Sequence, residues 1–218
     1  MSDLAVRLLP EIVGLVVTPG AIAGCILLLR SSRPVRNPLV FGSAFVFVYL
    51  LIALSALLGG ATGEGSTSHR ASAVAGLLIG LLFLGGGILI AARPLRKGNG
   101  RPGLLDELRD AGPRRVLVAG LGLAVINPNL FIMMSGMSVI ASSHVGPGRA
   151  VLATVALLLA AALDFLIPIG VYLALGARAR RGLERAEKWM LARSRAIGMG
   201  VLFGFGALFT IRGIMNLI

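Results

Sequence analysis

The sequence predicts an all-α polytopic membrane protein, six transmembrane helices arranged as a 3+3 inverted repeat. Three observations predict it. The 218 residues are 56% hydrophobic and 14% charged, with mean hydropathy +0.91, whereas soluble domains are about a quarter charged. The apolar residues fall into six runs near the ~20 residues that a spanning helix needs. A proline break also interrupts the first run of each half, at Val17-Thr18-Pro19-Gly20-Ala21 and at Ala124-Val125-Ile126-Asn127-Pro128-Asn129-Leu130-Phe131. Proline cannot donate a backbone hydrogen bond and clashes with the preceding turn. In hydrocarbon the freed carbonyl must be satisfied by protein or trapped water. Paired breaks in corresponding segments point to a transporter's central site.

The runs follow in order. The first is roughly Ile12 to Leu29; Ala21-Ile22-Ala23 looks like a signal-peptidase site, but the run continues past it and Asp3 and Glu11 precede it, so a retained helix is expected. A basic turn from Arg30 to Arg36 leads to the second run, Pro38 to Leu58. A polar loop, Gly59 to Arg70, precedes the third, Ala71 to Ala92. Arg93 to Arg115 is basic and rich in proline and glycine, hence a linker. The fourth run is Val116 to Ala141, the fifth Ala150 to Leu175, and the sixth Ala196 to Leu217, after a basic stretch from Gly176 to Arg195. The expected units are a first three-helix repeat (1–92), a cytoplasmic linker (93–115) and a second repeat (116–218). The odd connections are basic and the even ones nearly neutral, so the positive-inside rule puts the basic loops in the cytoplasm and both termini outside. An odd number of helices per half then makes the halves opposite in orientation. Gly80-Leu81-Leu82-Phe83-Leu84-Gly85-Gly86 resembles Gly200-Val201-Leu202-Phe203-Gly204-Phe205-Gly206, as a repeat requires.

The formal charge of +12 is accounted for by these loops, and no soluble domain is left to bind nucleic acid. Cys25 is the single cysteine, which excludes an intramolecular disulfide, a CxxC redox pair and a cysteine-rich metal site. His69 and His144 fall in separate outer loops without ligand spacing. No phosphate-binding GxxxxGK[ST] motif and no Ser/His/Asp arrangement occurs, so neither an enzyme nor a bound metal or cofactor is expected.

Asp164, near the middle of the fifth run, is the sharpest candidate. A carboxylate at that depth costs at least ~2.5 kcal/mol and should face the bundle interior or water. Pro168, four residues on, frees the carbonyl of Asp164 itself. Asp164 is a protonatable site that couples export to the proton gradient, or a polar partner for the Asn127/Asn129 break, or a protonated or hydrogen-bonded Asp that only ties two helices together. Thr18, Pro19, Gly20, Asn127, Pro128 and Asn129 complete the candidate substrate and coupling set; the bland alternative is that both prolines only kink their helices. Glu11 reads as an interfacial charge rather than a gate, leaving Asp164 nearly alone as an intramembrane charge. The Gly76/Gly80 and Gly200/Gly204 spacings suit close helix packing. Arg178 to Arg195 fits either a short amphipathic helix on the anionic inner leaflet, with Arg181, Arg185, Lys188 and Trp189 at the membrane surface, or an ordinary positive-inside loop.

Several segments together resemble a known family: Thr18-Pro19-Gly20-Ala21-Ile22-Ala23-Gly24, Leu28-Leu29-Arg30-Ser31-Ser32-Arg33-Pro34-Val35-Arg36-Asn37, Ile126-Asn127-Pro128-Asn129-Leu130 and Ala186-Glu187-Lys188-Trp189-Met190 onward to Gly206. The pattern is similar to the actinobacterial peptidoglycolipid addressing protein (GAP) family, which includes the sulfolipid addressing proteins, within the lysine-exporter (LysE) superfamily of six-helix carriers. Many members carry an acidic residue or Asn directly before the first proline, where this chain has Thr18; Asp164 is left as the main coupling candidate. The resemblance implies delivery of cell-envelope glycolipid to the surface from the inner (plasma) membrane, beside a larger lipid transporter. Membrane lipids, a glycolipid or small-molecule substrate and further copies of the chain are the other partners considered. Two alternatives stand beside glycolipid export. One is a small-solute exporter for amino acids or cations, and the other a non-transporting accessory subunit of a lipid exporter. Sparse intramembrane charge suits a lipid better than a zwitterion, which needs partners of both signs.

Overall fold

The computed structural model describes residues 2–60, 77–78, 80–81, 83–85, 87–88, 91–92 and 111–215, and among them it is helical without strands. The helices are α1 (Ser2–Val16), α2 (Pro19–Leu28), α3 (Arg36–Gly60), α4 (Pro113–Ile126), α5 (Asn129–Ser142), α6 (Pro147–Leu175) and α7 (Ala177–Met215). Within 77–92 the described residues are helical too. Arg36–Leu57, Pro147–Leu175 and Ala196–Met215 are long and apolar enough to cross a membrane. The pairs α1/α2, bent by 43°, and α4/α5, bent by 61°, bring the number of candidate spans to as many as five. The third predicted run, Ala71 to Ala92, lies largely outside the described residues, as do the Gly59–Arg70 loop beyond Gly60, with His69, and most of the linker. The described end of that linker is already helical, α4 beginning at Pro113.

Both bends have the same local cause. A residue before proline is pushed out of the α region, and Thr18 (φ −111°, ψ 90°) and Asn127 (φ −70°, ψ 130°) are both extended. The proline then restarts the chain as a helix. Pro19 is the first residue of α2, where its missing N–H costs nothing, and Pro128 precedes α5 directly. Pro168, by contrast, sits inside the unbroken α6.

The helices are apolar on the outside, and the few polar groups on their spanning parts turn into a mostly apolar core. On α1, Val6, Leu9, Val13 and Val17 are exposed at helical spacing, while Leu8, Glu11, Leu15 and Thr18 turn inward. On α6, Leu152, Val155, Leu159 and Leu166 face out, while Leu157, Ala160, Ala161, Asp164 and Pro168 face in. Bare aliphatic stripes on this scale suit lipid, not water. The core holds an aromatic cluster, with Phe45 5.1 Å from Phe41 and 5.2 Å from Phe165 between ring centroids, and Tyr49 edge-on to Phe45.

Described parts of all three basic connections meet at one end of the bundle. Arg30, after α2, lies 3.6 Å from Glu184 and 3.9 Å from Glu187 on α7. Buried Asn37 donates to Ser31 Oγ (3.1 Å) and to the Ala111 carbonyl (3.4 Å) at the end of the linker. The basic stretch of the last connection is not a separate short helix. It is the first half of α7, one helix of 39 residues, about 58 Å long and so nearly twice a ~30 Å hydrocarbon core.

The two segments with the Gly/Leu/Phe likeness pack on each other. A Cβ added to Gly80 would meet the Thr210 backbone N at 2.6 Å, one on Gly206 would meet Leu84, and one on Gly213 the Leu77 backbone N at 2.8 Å. Rising numbers on one segment thus meet falling numbers on the other, an antiparallel crossing of two backbones too close for side chains. Gly80→Ala is expected to cost about 1–3 kcal/mol through overpacking. Gly85→Ala, whose Cβ meets nothing within 4 Å, should stay within about 0.5 kcal/mol of wild type. Melting of the two variants in one detergent compares them directly.

Candidate functional site

The two breaks face each other through their side chains. Asn129, the first residue of α5, is 4% exposed and reaches across to α1. Its amide Nδ2 donates to the Gly14 carbonyl (3.3 Å) and makes a close hydrogen bond to Thr18 Oγ1. The Thr18 hydroxyl and backbone N–H in turn donate toward the Asp164 carboxyl. That hydroxyl also lies 3.4 Å from the Leu15 carbonyl, and its single proton can serve one acceptor at a time. Asp164 is 4% exposed, and its Oδ1 has no hydrogen-bond partner among the described residues. Cys25 and Tyr49 lie within electrostatic reach of it. The Cys25 thiol donates to the Phe165 carbonyl (3.8 Å), one residue along α6.

Thr18, more than a hundred residues from either of the others in sequence, therefore forms one buried cluster with Asn129 and Asp164. Asn127 supports it from the side, its Oδ1 accepting the Asn129 backbone N–H at 3.0 Å and fixing the turn. Pro168 is buried below Asp164 on the same helix. Pro19 is half-buried at the restart of α2, whereas Pro128 and Gly20 are exposed and do not join the cluster. Gly20 is not required by close approach either, since an added Cβ would meet nothing within 4 Å. Replacing Asn129 with Leu leaves the Gly14 carbonyl and Thr18 hydroxyl without their donor. The expected cost is about 1–3 kcal/mol, read as earlier melting in detergent, while Asn129→Gln should recover part of it.

A second polar cluster lies on the same seam. Glu11 is fully buried and makes a close ion pair with Arg212 of α7. Ser135 of α5 donates to Glu11 Oε1 at 3.1 Å, and Arg212 Nη2 donates to the Arg7 carbonyl at 3.3 Å. Glu11, Gly14 and Thr18 share one face of α1 and its end, and Ser135 and Asn129 both reach it from α5. Two expectations are corrected here. Glu11 is a buried partner rather than an interfacial charge, and Asp164 is not nearly alone, because Arg212 lies within the sixth apolar run. An arginine in such a run was itself the signal that a carboxylate had to meet it.

Arg181, Arg185, Lys188 and Trp189 are all exposed on the first half of α7, with the Arg193 guanidinium 5.2 Å above the Trp189 ring. Beside the first break, an apolar groove of about 560 Å3 runs between α1 and α7, lined by Val13, Gly14, Val17, Gly204, Phe205 and Leu208 among others.

No curated protein and no solved structure matches the chain. The model of the family described as "Sap, sulfolipid-1-addressing protein" matches residues 8–215, nearly the whole chain, and the protein belongs to that family.

Proposed function

We propose that this protein is a carrier, not an enzyme, that delivers a sulfolipid-like glycolipid of the cell envelope to the cell surface, with Asp164 coupling the movement to protons. The single observation that carries this reading is the Thr18–Asn129–Asp164 cluster. It ties the two broken spans together around a buried carboxyl, one oxygen of which has no partner among the described residues. Broken helices meeting at a buried polar site are the usual construction of a substrate or ion site in membrane carriers. The groove between α1 and α7 opens beside Gly14, whose carbonyl Asn129 holds. An acyl chain lying there would reach the cluster from the side without entering water.

The proposed architecture is six spans in two inverted halves in the inner membrane, with both termini outside. The antiparallel glycine crossing supports the inverted halves, and the meeting of the basic connections at one end supports a cytoplasmic end there. A larger lipid transporter would work beside it. The Glu11–Arg212 pair supplies both signs of charge, as a zwitterionic small solute would need, but the two charges are paired with each other. Lipid cargo therefore remains the better reading.

Lipid profiling of a deletion strain and its complemented control tests it. One glycolipid should fall in the surface-extractable fraction while its total stays level. A surface profile identical in the two strains would overturn glycolipid delivery, and efflux of amino acids and cations would then be measured.

A further inference from the structure

We infer that the cavity between α1 and α6, at the end of the bundle opposite the basic connections, is a binding site for an anionic lipid, whose headgroup sits on Arg7 and Arg149. The cavity measures about 510 Å3, within the ~300–1,000 Å3 that takes a drug-sized ligand. Its walls are apolar. Leu4, Leu8 and Ile12 line it from one face of α1, and Leu152, Ala153 and Ala156 from one face of α6. The rim is cationic, with both arginines exposed and neither paired to a carboxylate among the described residues. Ser142 and Ser143 are also at the rim, but both hydroxyls already donate to the Val139 carbonyl, at 3.2 and 2.6 Å. Among the described residues the guanidiniums are thus the free donors, and their fork matches a sulfate or phosphate group.

Depth agrees with a lipid. Arg7 stands about 16 Å along the helix from Thr18 and Arg149 about 22 Å from Asp164, at 1.5 Å per residue. With the Thr18–Asp164 cluster near mid-membrane, both reach the headgroup level of a ~30 Å hydrocarbon core. A cationic rim above an apolar wall suits one amphiphile, its charged head held at the rim and its chain lying along the wall. This inference deepens the export reading and rests on it for the site's role as a stop on the outward path, though not for the binding itself.

The test is lipid retention by the purified full chain. The protein is extracted from vesicles of equal parts phosphatidylglycerol and phosphatidylcholine, and the retained lipid is counted by native mass spectrometry. Phosphatidylglycerol should be enriched about tenfold over phosphatidylcholine. The double variant Arg7→Gln/Arg149→Gln should lose that enrichment, and Ala153→Trp, which fills the cavity and keeps both charges, should lose the bound lipid. Equal retention of the two lipids, or enrichment unchanged in both variants, would overturn the site. Displacement of the lipid by millimolar inorganic phosphate would also overturn it, by showing a site for free anions. Normal phosphatidylglycerol enrichment together with a surface glycolipid unchanged by deletion would be a failure of the export reading alone, and so is separable from a failure of this site.

Discussion

Asp164→Asn is expected to fold with wild-type helicity and to lower surface delivery of the glycolipid more than about tenfold. The amide has the carboxyl's shape and can still accept from Thr18, so the packing around α6 is preserved. What it loses is the ability to take up and release a proton, the property that makes an intramembrane carboxyl useful to a carrier. The surface-to-total lipid ratio of a deletion strain carrying the variant, with circular dichroism of the purified protein as the folding control, gives the answer. Wild-type delivery by a normally folded variant would reduce Asp164 to a tie between helices. Thr18→Val provides the companion result. It removes the hydroxyl between Asn129 and Asp164 and should weaken delivery while Asp164 remains.

The second large effect concerns the ion pair between α1 and α7. Breaking a buried pair by removing one partner typically costs about 3–5 kcal/mol, because the other charge is left uncompensated. The two partners differ in exposure. The Arg212 side chain is 33% exposed and can move toward water, while Glu11 is 0% exposed and cannot. Arg212→Ala should therefore destabilise more than Glu11→Ala. The double variant should lose less than the sum of the two, since neither charge then remains stranded. Melting temperatures of the three variants in one detergent decide it; strictly additive losses would mean that the pair contributes nothing as a pair.

The fold was legible where its causes are local. Thr18-Pro19 and Asn127-Pro128 specify their bends through proline sterics alone, so both positions could be read from neighbouring residues. The spans of α3 and α6 follow from apolar length. The cluster was legible in part, because Thr18, Asn129 and Asp164 are polar groups that hydrocarbon tolerates only with partners, and partners of that kind are few in this chain. What could not be read was the pairing itself. That Asn129 reaches Gly14 as well as Thr18, and that Asn127 turns aside to hold a backbone N–H, depend on how α5 approaches α1. Glu11 and Arg212 were missed as a pair for the same reason, since they lie at opposite ends of the chain and meet only when α7 returns to α1. The extent of α7 was hidden by its composition. Its first half is so basic that it reads as a short surface helix or a loop, apart from the last span, yet it is continuous with that span and Arg30 fastens it through Glu184 and Glu187.

Delivery by this chain itself would mean moving lipid across a bilayer. The direct measurement is transfer of a labelled anionic glycolipid between leaflets of vesicles containing only the purified protein, with and without a proton gradient. Wild-type protein should speed transfer when the gradient is imposed, and Asp164→Asn should leave it at the rate of empty vesicles. Wild-type vesicles indistinguishable from empty ones, with the protein shown to be folded and inserted, would contradict delivery by this chain and make it an accessory to another transporter.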